Sequence, residues 1–202
     1  MYVGRIVAVG RTDKPFVGYR VSSRSFPNRI TAITDEGIAV QPLDQEDMKR
    51  NPYIAHNCVR VSKNGIVVSN GSHTDPIFEK LEAGASPFEA LGSVLSEMEY
   101  EHDDYNTPRI AGIVTDTKGY LGIVRDNGTE VREFDLADNT CEYISTYETN
   151  TMSAEKYEIK AANADEIAEF VVDGGVFASL ELPVCAAAYC GGKLAVCNPH
   201  KK

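Results

Sequence analysis

The chain is punctuated by short polar steps that turn it back on itself. Asp35-Glu36-Gly37, Lys63-Asn64-Gly65 and Asp126-Asn127-Gly128 each lie between runs rich in Val, Ile and Tyr. Asn-Gly supplies the positive φ of a tight hairpin turn, so these steps join antiparallel neighbours. The sequence predicts strands over Tyr2 to Val9, Pro15 to Ser22, Gly37 to Gln41, Tyr53 to Val61 and Gly65 to Ser69. Others are expected over Arg109 to Thr115, Gly119 to Arg125 and Thr129 to Phe134, with a last pair, Val184 to Cys190 and Lys193 to Cys197, meeting at Gly191-Gly192.

Helices fall in separate blocks. Asp44 can cap a short one over Gln45 to Arg50, stopped by Asn51-Pro52. Asp75 can cap a second, with Pro76 at its first position and Gly84 just past its end. Ser86-Pro87-Phe88-Glu89 is a capping box, and Phe88, Leu91, Leu95 and Met98 recur at helical spacing as one buried face. A further helix is predicted over Ala164 to Asp173, capped by Asn163 with Glu166 three residues on and ended by Gly174. Hairpins plus segregated helices imply mainly antiparallel sheets covered by helices, an α+β layered fold. A four-layer α-β-β-α sandwich accommodates this order, and so does a three-layer arrangement. With 202 residues and no linker or repeat, one domain over 1–202 is expected.

A formal charge of −10 argues against nucleic acid or an anionic membrane as partner, because no excess of Lys or Arg is present to displace counterions. No apolar run approaches the about 20 residues of a membrane span. Met1-Tyr2-Val3-Gly4-Arg5 lacks the regions of a signal peptide, so the expectation is a cytoplasmic protein. The five cysteines match no CxxC pattern; Cys185 and Cys197 fall in apolar segments and read as buried thiols, while Cys58 has a more polar setting.

Against that acidic background, Tyr19 to Arg29 reads Tyr-Arg-Val-Ser-Ser-Arg-Ser-Phe-Pro-Asn-Arg. Guanidinium forks and short hydroxyls are suited to phosphate or a developing oxyanion. Phe26-Pro27-Asn28 is a turn that lets Arg29 leave the preceding strand. The plainer reading is a solvated edge strand blunted by arginine. If the alternation of a strand persists, Arg20, Ser22 and Arg24 share a face and Ser23 takes the other.

The run from Glu97 to Tyr105 ends the best helix with acids, the wrong sign for a helix C-terminus. Either it is a hydrated helix end, or one carboxylate turns inward as an acid or base tuned by burial and an arginine. His56, His73, Asp75 and His102 invite a metal, yet their spacing matches no zinc pattern. Ser69 to Asp75 leads into a helix N-terminus whose backbone N–H groups suit an anion, without the Lys of a P-loop; a polar cap explains the same residues. Asn51 to Cys58 puts Tyr53, Ala55 and Asn57 on one strand face, with Ile54, His56 and Cys58 on the other.

Several of these segments carry a resemblance. Tyr2-Val-Gly-Arg5, the Tyr19 to Arg29 segment, Asn51-Pro-Tyr-Ile54, Asn57-Cys58, Val68-Ser-Asn-Gly71, His73-Thr-Asp75, Tyr100-Glu-His-Asp-Asp-Tyr105 and Thr107-Pro-Arg109 stand in the order found in archaeal-type IMP cyclohydrolase. The resemblance spans essentially the whole chain and is densest before residue 110. It implies an N-terminal-nucleophile-hydrolase-like α-β-β-α fold with its site between the two sheets. It also implies closure of 5-formamidoimidazole-4-carboxamide ribonucleotide to inosine monophosphate with loss of water. The expected partner is thus a small purine ribonucleotide, and the chemistry needs no metal or organic cofactor. Surplus apolar strand leaves room for a homo-oligomer. Tyr2 stands after Met1, where such hydrolases carry Cys, Ser or Thr, so amide hydrolysis is not implied.

By the same resemblance Arg29 stabilises the developing oxyanion and Glu101 is the acid/base, with Glu99 the alternative carboxylate. The expected substrate-binding residues are Arg20, Ser22, Ser23, Arg24, Asn57, Cys58, Asn70, Gly71, Thr74, Tyr105 and Arg109. Two rival readings are a purine-nucleotide-binding protein without turnover and an amidohydrolase using Cys58.

Overall fold

The structure, a computed structural model, describes residues 1–44, 46–50 and 52–200. The expected helix start at Gln45 and stop at Asn51 lie outside the described residues. In chain order the elements begin with β1 (Ile6–Arg11), β2 (Pro15–Ser22), β3 (Arg29–Thr34), β4 (Gly37–Pro42) and α1 (Glu46–Arg50). A 3-10 turn (Pro52–Ile54) precedes β5 (His56–Ser62), β6 (Gly65–Ser69), α2 (Thr74–Glu82) and α3 (Pro87–Met98). Then come β7 (Arg109–Val114), β8 (Lys118–Arg125), β9 (Gly128–Asp135), β10 (Thr140–Ser145) and β11 (Tyr157–Glu158). The chain closes with α4 (Ala164–Asp173), a second 3-10 turn (Gly175–Ser179), β12 (Pro183–Cys190) and β13 (Lys193–Cys197).

The fold is α+β with two antiparallel sheets. One has the order β11-β10-β1-β2-β12-β13; the other runs in sequence order from β3 to β9. The hairpin turns make the second sheet nearly automatic: β5–β6 and β8–β9 pair in register across their Asn-Gly steps. At Gly65 φ is +149°, a conformation that a side chain would strain.

Period-two alternation sets which side chains meet. Val7, Val9, Tyr19 and Val21 of the first sheet bury against Ile38, Val40, Val68, Ile110 and Ile123 of the second. The opposite side of the first sheet, with Ile6, Ala8 and Phe16, packs under Ile167, Ala168 and Val171 of α4. The outer side of the second, with Val67, Ala111 and Ile113, lies under α2 and α3 through Ile77, Leu81, Leu91 and Val94. The sheets therefore face each other, and each carries helix on its far side.

Caps follow the sequence closely. Ser86 and Glu89 make both halves of the capping box, and Asn163 Oδ1 accepts from Glu166 N at 3.1 Å. Elsewhere the structure shifts the expectation. α2 starts at Thr74 with His73 as its N-cap, not Asp75. The buried face of α3 is Ala90, Leu91, Val94 and Leu95, a stripe that leaves Phe88, in the first turn, 49% exposed. Tyr53 lies in the 3-10 turn, and the strand after it begins only at His56. β3, β10 and β11 were not among the expected strands, although β3 lies between the turns at Phe26–Asn28 and Asp35–Gly37; β10 pairs with β1, far away in the chain.

Candidate active site

Several chain segments meet at a cleft of about 580 Å³. Tyr2 and Arg5 come from the stretch before β1, and Ser23, Arg24 and Phe26 from the loop after β2. Arg29 opens β3; Tyr53 and Ile54 come from the 3-10 turn; Glu101, Asp103, Asp104 and Tyr105 follow α3.

Glu101 owes its position to an abrupt change of direction. α3 ends at Met98, and Glu99 takes φ +53°. The acidic run therefore leaves the helix rather than extending it. Glu101 N donates to the Thr107 carbonyl at 2.8 Å. The Asp103 carboxylate accepts from Tyr105 N (3.2 Å), Thr107 N (2.9 Å) and Thr107 Oγ1 (2.7 Å), which ties the loop into a compact turn. This places the Glu101 carboxylate inward and leaves Glu99 exposed beside His102, at 3.2 Å.

The Glu101 side chain is 3% exposed and sits between two guanidiniums: Oε2 is 3.6 Å from Arg5 Nη2 and Oε1 is 3.6 Å from Arg109 Nη1. Burial pushes its carboxyl up, Arg5 and Arg109 pull it back, and the outcome remains above the ordinary glutamate value. Arg29 is 6% exposed, with Nε donating to the Phe26 carbonyl at 3.1 Å. Burial and the neighbouring Arg5 lower its affinity for its proton. At the mouth, the Arg24 guanidinium lies 4.1 Å from the centroid of the Tyr2 ring, which stacks on Tyr147 at 5.8 Å.

The structure brings Ser23, Arg24, Arg29, Asn70, Glu101 and Tyr105 to the cleft, with Arg109 directly behind Glu101. Asn70 also clamps β6 to β7: its Oδ1 accepts from Ile110 N (2.7 Å) and its Nδ2 donates to the Pro108 carbonyl (3.0 Å). Gly71 lies against Arg109 and His73.

Other expected residues lie elsewhere. Arg20 is fully buried on the α4 side of β2 and donates to Ser22 Oγ and to the carbonyls of Val172, Phe177, Leu180 and Glu181 at 2.6–3.1 Å. Arg20 and Ser22 therefore tie the end of α4 and the following turn to the sheet. Arg24 does not share their face, because β2 ends at Ser22 and alternation ends with it. Asn57 donates to Asp75 at 3.0 Å, beside Arg60. Thr74 is buried in the turn into α2, donating to the Gly71 carbonyl at 3.0 Å. Cys58 occupies a bulge between β4 and β5 and is buried between the sheets, where burial raises its thiol well above the ordinary value. Cys185 is buried, and Cys197 only partly so.

Arg5, Tyr2 and Tyr147 were not among the expected binding residues. Arg5 and Tyr2 lie in the resembling Tyr2-Val-Gly-Arg5 segment, which was the available signal; Tyr147 had none. Among the described residues, no group of three or more His, Cys, Asp or Glu is placed to hold a metal ion. No described helix is long and apolar enough to cross a membrane.

A buried carboxylate flanked by guanidiniums on the wall of a polar cleft can accept and return a proton and stabilise an oxyanion in a small molecule. The class this describes is an acid–base site for an anionic small molecule. The family model described as IMP cyclohydrolase-like protein matches residues 2–193. A relative named IMP cyclohydrolase from Methanococcus aeolicus is 45% identical, covering 93% of this chain and 94% of its own. Relatives of the same name from Methanocella arvoryzae and Methanothrix thermoacetophila are 44% and 43% identical, over 93% and 99% of this chain and 91% and 100% of theirs. The chain belongs to the IMP cyclohydrolase family.

Proposed function

We propose that the protein closes 5-formamidoimidazole-4-carboxamide ribonucleotide to inosine monophosphate, releasing water. The observation that carries this reading is the buried Glu101 carboxylate between Arg5 and Arg109, in a chain whose family match covers residues 2–193. A cleft of about 580 Å³ lies within the range of about 300–1,000 Å³ for small-molecule sites.

In the reaction the carboxamide nitrogen attacks the formyl carbon of the same molecule. A C–N bond forms and the formyl oxygen gains charge. After protonation it leaves as water, with the second proton taken from the former formamide nitrogen, and the ring C=N bond forms. Holding the two arms together removes much of the entropic barrier. Arg29 faces the developing oxyanion and Glu101 carries the proton from nitrogen to oxygen. A carboxyl raised by burial gives up a proton less completely than an ordinary one, which suits a group that must also return it. Exposed Arg24 and Tyr105, together with the buried Ser23, form the polar end suited to the phosphate and ribose. Arg20, Ser22, Asn57 and Thr74 are assigned to the scaffold.

The helix-sheet-sheet-helix packing supports a single domain with an N-terminal-nucleophile-hydrolase-like α-β-β-α sandwich. The Cys58 thiol, held protonated by burial, argues against a covalent amidohydrolase route. Ring closure followed by absorbance tests the function. Glu101→Gln should lower kcat by about 10²–10⁴-fold with the fold intact. Near-normal turnover by that folded variant would remove Glu101 from the proton-transfer role.

A further inference from the structure

Another polar group stands behind Arg109. His73, at the N-terminus of α2, is fully buried, and its Nε2 is 3.0 Å from the carbonyl oxygen of Ile110 on β7. A carbonyl only accepts, so Nε2 carries the ring proton and Nδ1 keeps its lone pair. Nδ1 has no hydrogen-bond partner, and neither do Nε and Nη1 of Arg109, although all three are shut off from solvent. His73 Nδ1 and Arg109 Nη1 flank one point: each lies 3.1 Å from where a Cβ on Gly71 would stand. An acceptor without a donor thus faces, across a gap that only glycine leaves open, a guanidinium nitrogen that meets Glu101 Oε1 only at ion-pair distance, 3.6 Å. Each buried polar atom left unpaired costs about 1–3 kcal/mol, which an apolar side chain at position 73 would avoid.

We propose that His73 is a positioning residue: its Nδ1 lone pair, across the Gly71 gap from Arg109 Nη1, attracts that guanidinium electrostatically and so holds it toward Glu101. The inference rests on Glu101 as the proton-transfer group. Four charged groups bear on Glu101: Arg5 from the segment before β1, Arg109 from β7, Asp103 from its own loop and Arg29 from β3. The groups beside His73 are Arg109 and, from β5, His56. An imidazole must be neutral to present that lone pair. Burial, opposed by the Ile110 carbonyl and aided by Arg109, holds the His73 pKa down to about 3. Glu101 depends on Arg109 to offset burial, so a loosened Arg109 lets the Glu101 carboxyl rise further.

Two substitutions separate positioning from packing. His73→Gln puts an amide nitrogen near the place of Nε2 and keeps the Ile110 contact, with nothing at Nδ1. His73→Asn puts an oxygen near the place of Nδ1. The Gln variant should lose about tenfold in kcat with KM little changed, and its acid limb in kcat/KM should move up by about one pH unit. The Asn variant should keep the parent limb. Identical limbs in both variants and the parent overturn the proposal. The parent chain offers a second readout through ¹⁵N-histidine NMR, with a neutral Nε2–H ring expected for His73 from about pH 5 to 9. An Nδ1–H or protonated ring overturns it. This readout needs no substrate, so absence of turnover by the parent sinks the proposed function, whereas the wrong tautomer sinks the role of His73 alone.

Discussion

Replacing Arg5 by methionine removes one of the two guanidiniums 3.6 Å from the Glu101 carboxylate while retaining a long, apolar stem. Two unit charges at that separation attract by about 4.6 kcal/mol at an effective dielectric of about 20. That corresponds to roughly three pKa units. Side-chain relaxation and the remaining Arg109 cut the effect, and we expect roughly half, a rise of about one to two units for Glu101. The direction is fixed by the environment: burial already raises this carboxyl, and Arg5 is the largest opposing influence. A base must be ionised before it takes a proton. The acid limb of kcat/KM for ring closure should therefore move to higher pH by that amount, with activity below it falling about tenfold per unit. Linkage gives a second signature. A buried acid whose folded pKa lies above its unfolded value loses stability as pH rises between the two. Arg5→Met widens that window, so its loss of stability relative to the parent should grow from acid toward neutral pH. The assay is absorbance of the ring-closing reaction across pH, beside thermal unfolding at the same values. A folded Arg5→Met protein whose acid limb coincides with the parent's would refute the reasoning.

Arg29→Gln should cost about 10²–10³-fold in kcat, read from the same absorbance assay, because it removes the donor we propose for the oxyanion. Arg20→Met should act on stability instead. It strands the carbonyls of Val172, Phe177, Leu180 and Glu181 for about 3 kcal/mol or more, and calorimetry should find the unfolding midpoint lower by roughly 6–12 °C. Cys58→Ala should stay within about twofold of the parent in kcat, since a protonated thiol is no nucleophile, and mass spectrometry should find no acyl-enzyme on the parent.

Local chemistry was legible where neighbours in sequence are neighbours in space. The Asn-Gly hairpins, the Ser86–Glu89 capping box and the Asn163 cap each join residues within a few positions of one another, and they appear as expected. β10 was not legible, since its partner β1 lies more than a hundred residues earlier in the chain. The site shows the same division. The Tyr19 to Arg29 segment looked uniform, yet Arg20 and Ser22 end up under α4 while Ser23, Arg24 and Arg29 reach the cleft. The divider is the end of β2 at Ser22, beyond which alternation no longer assigns faces.

Sequence alone determined the α+β character and the hairpin-built second sheet, and it narrowed the site to a few basic and acidic candidates, because periodicity, turn residues and residue chemistry act locally. Tertiary structure decided that Glu101, which the resemblance had placed ahead of Glu99, is the acid that turns in, and it alone decided what that acid faces. The positive φ at Glu99 and the Asp103-bound turn select Glu101, while Arg5 and Arg109 reach it from positions 96 and 8 residues away in the chain. A buried charge needs partners from whatever strands surround it, and no local pattern records which strands those are.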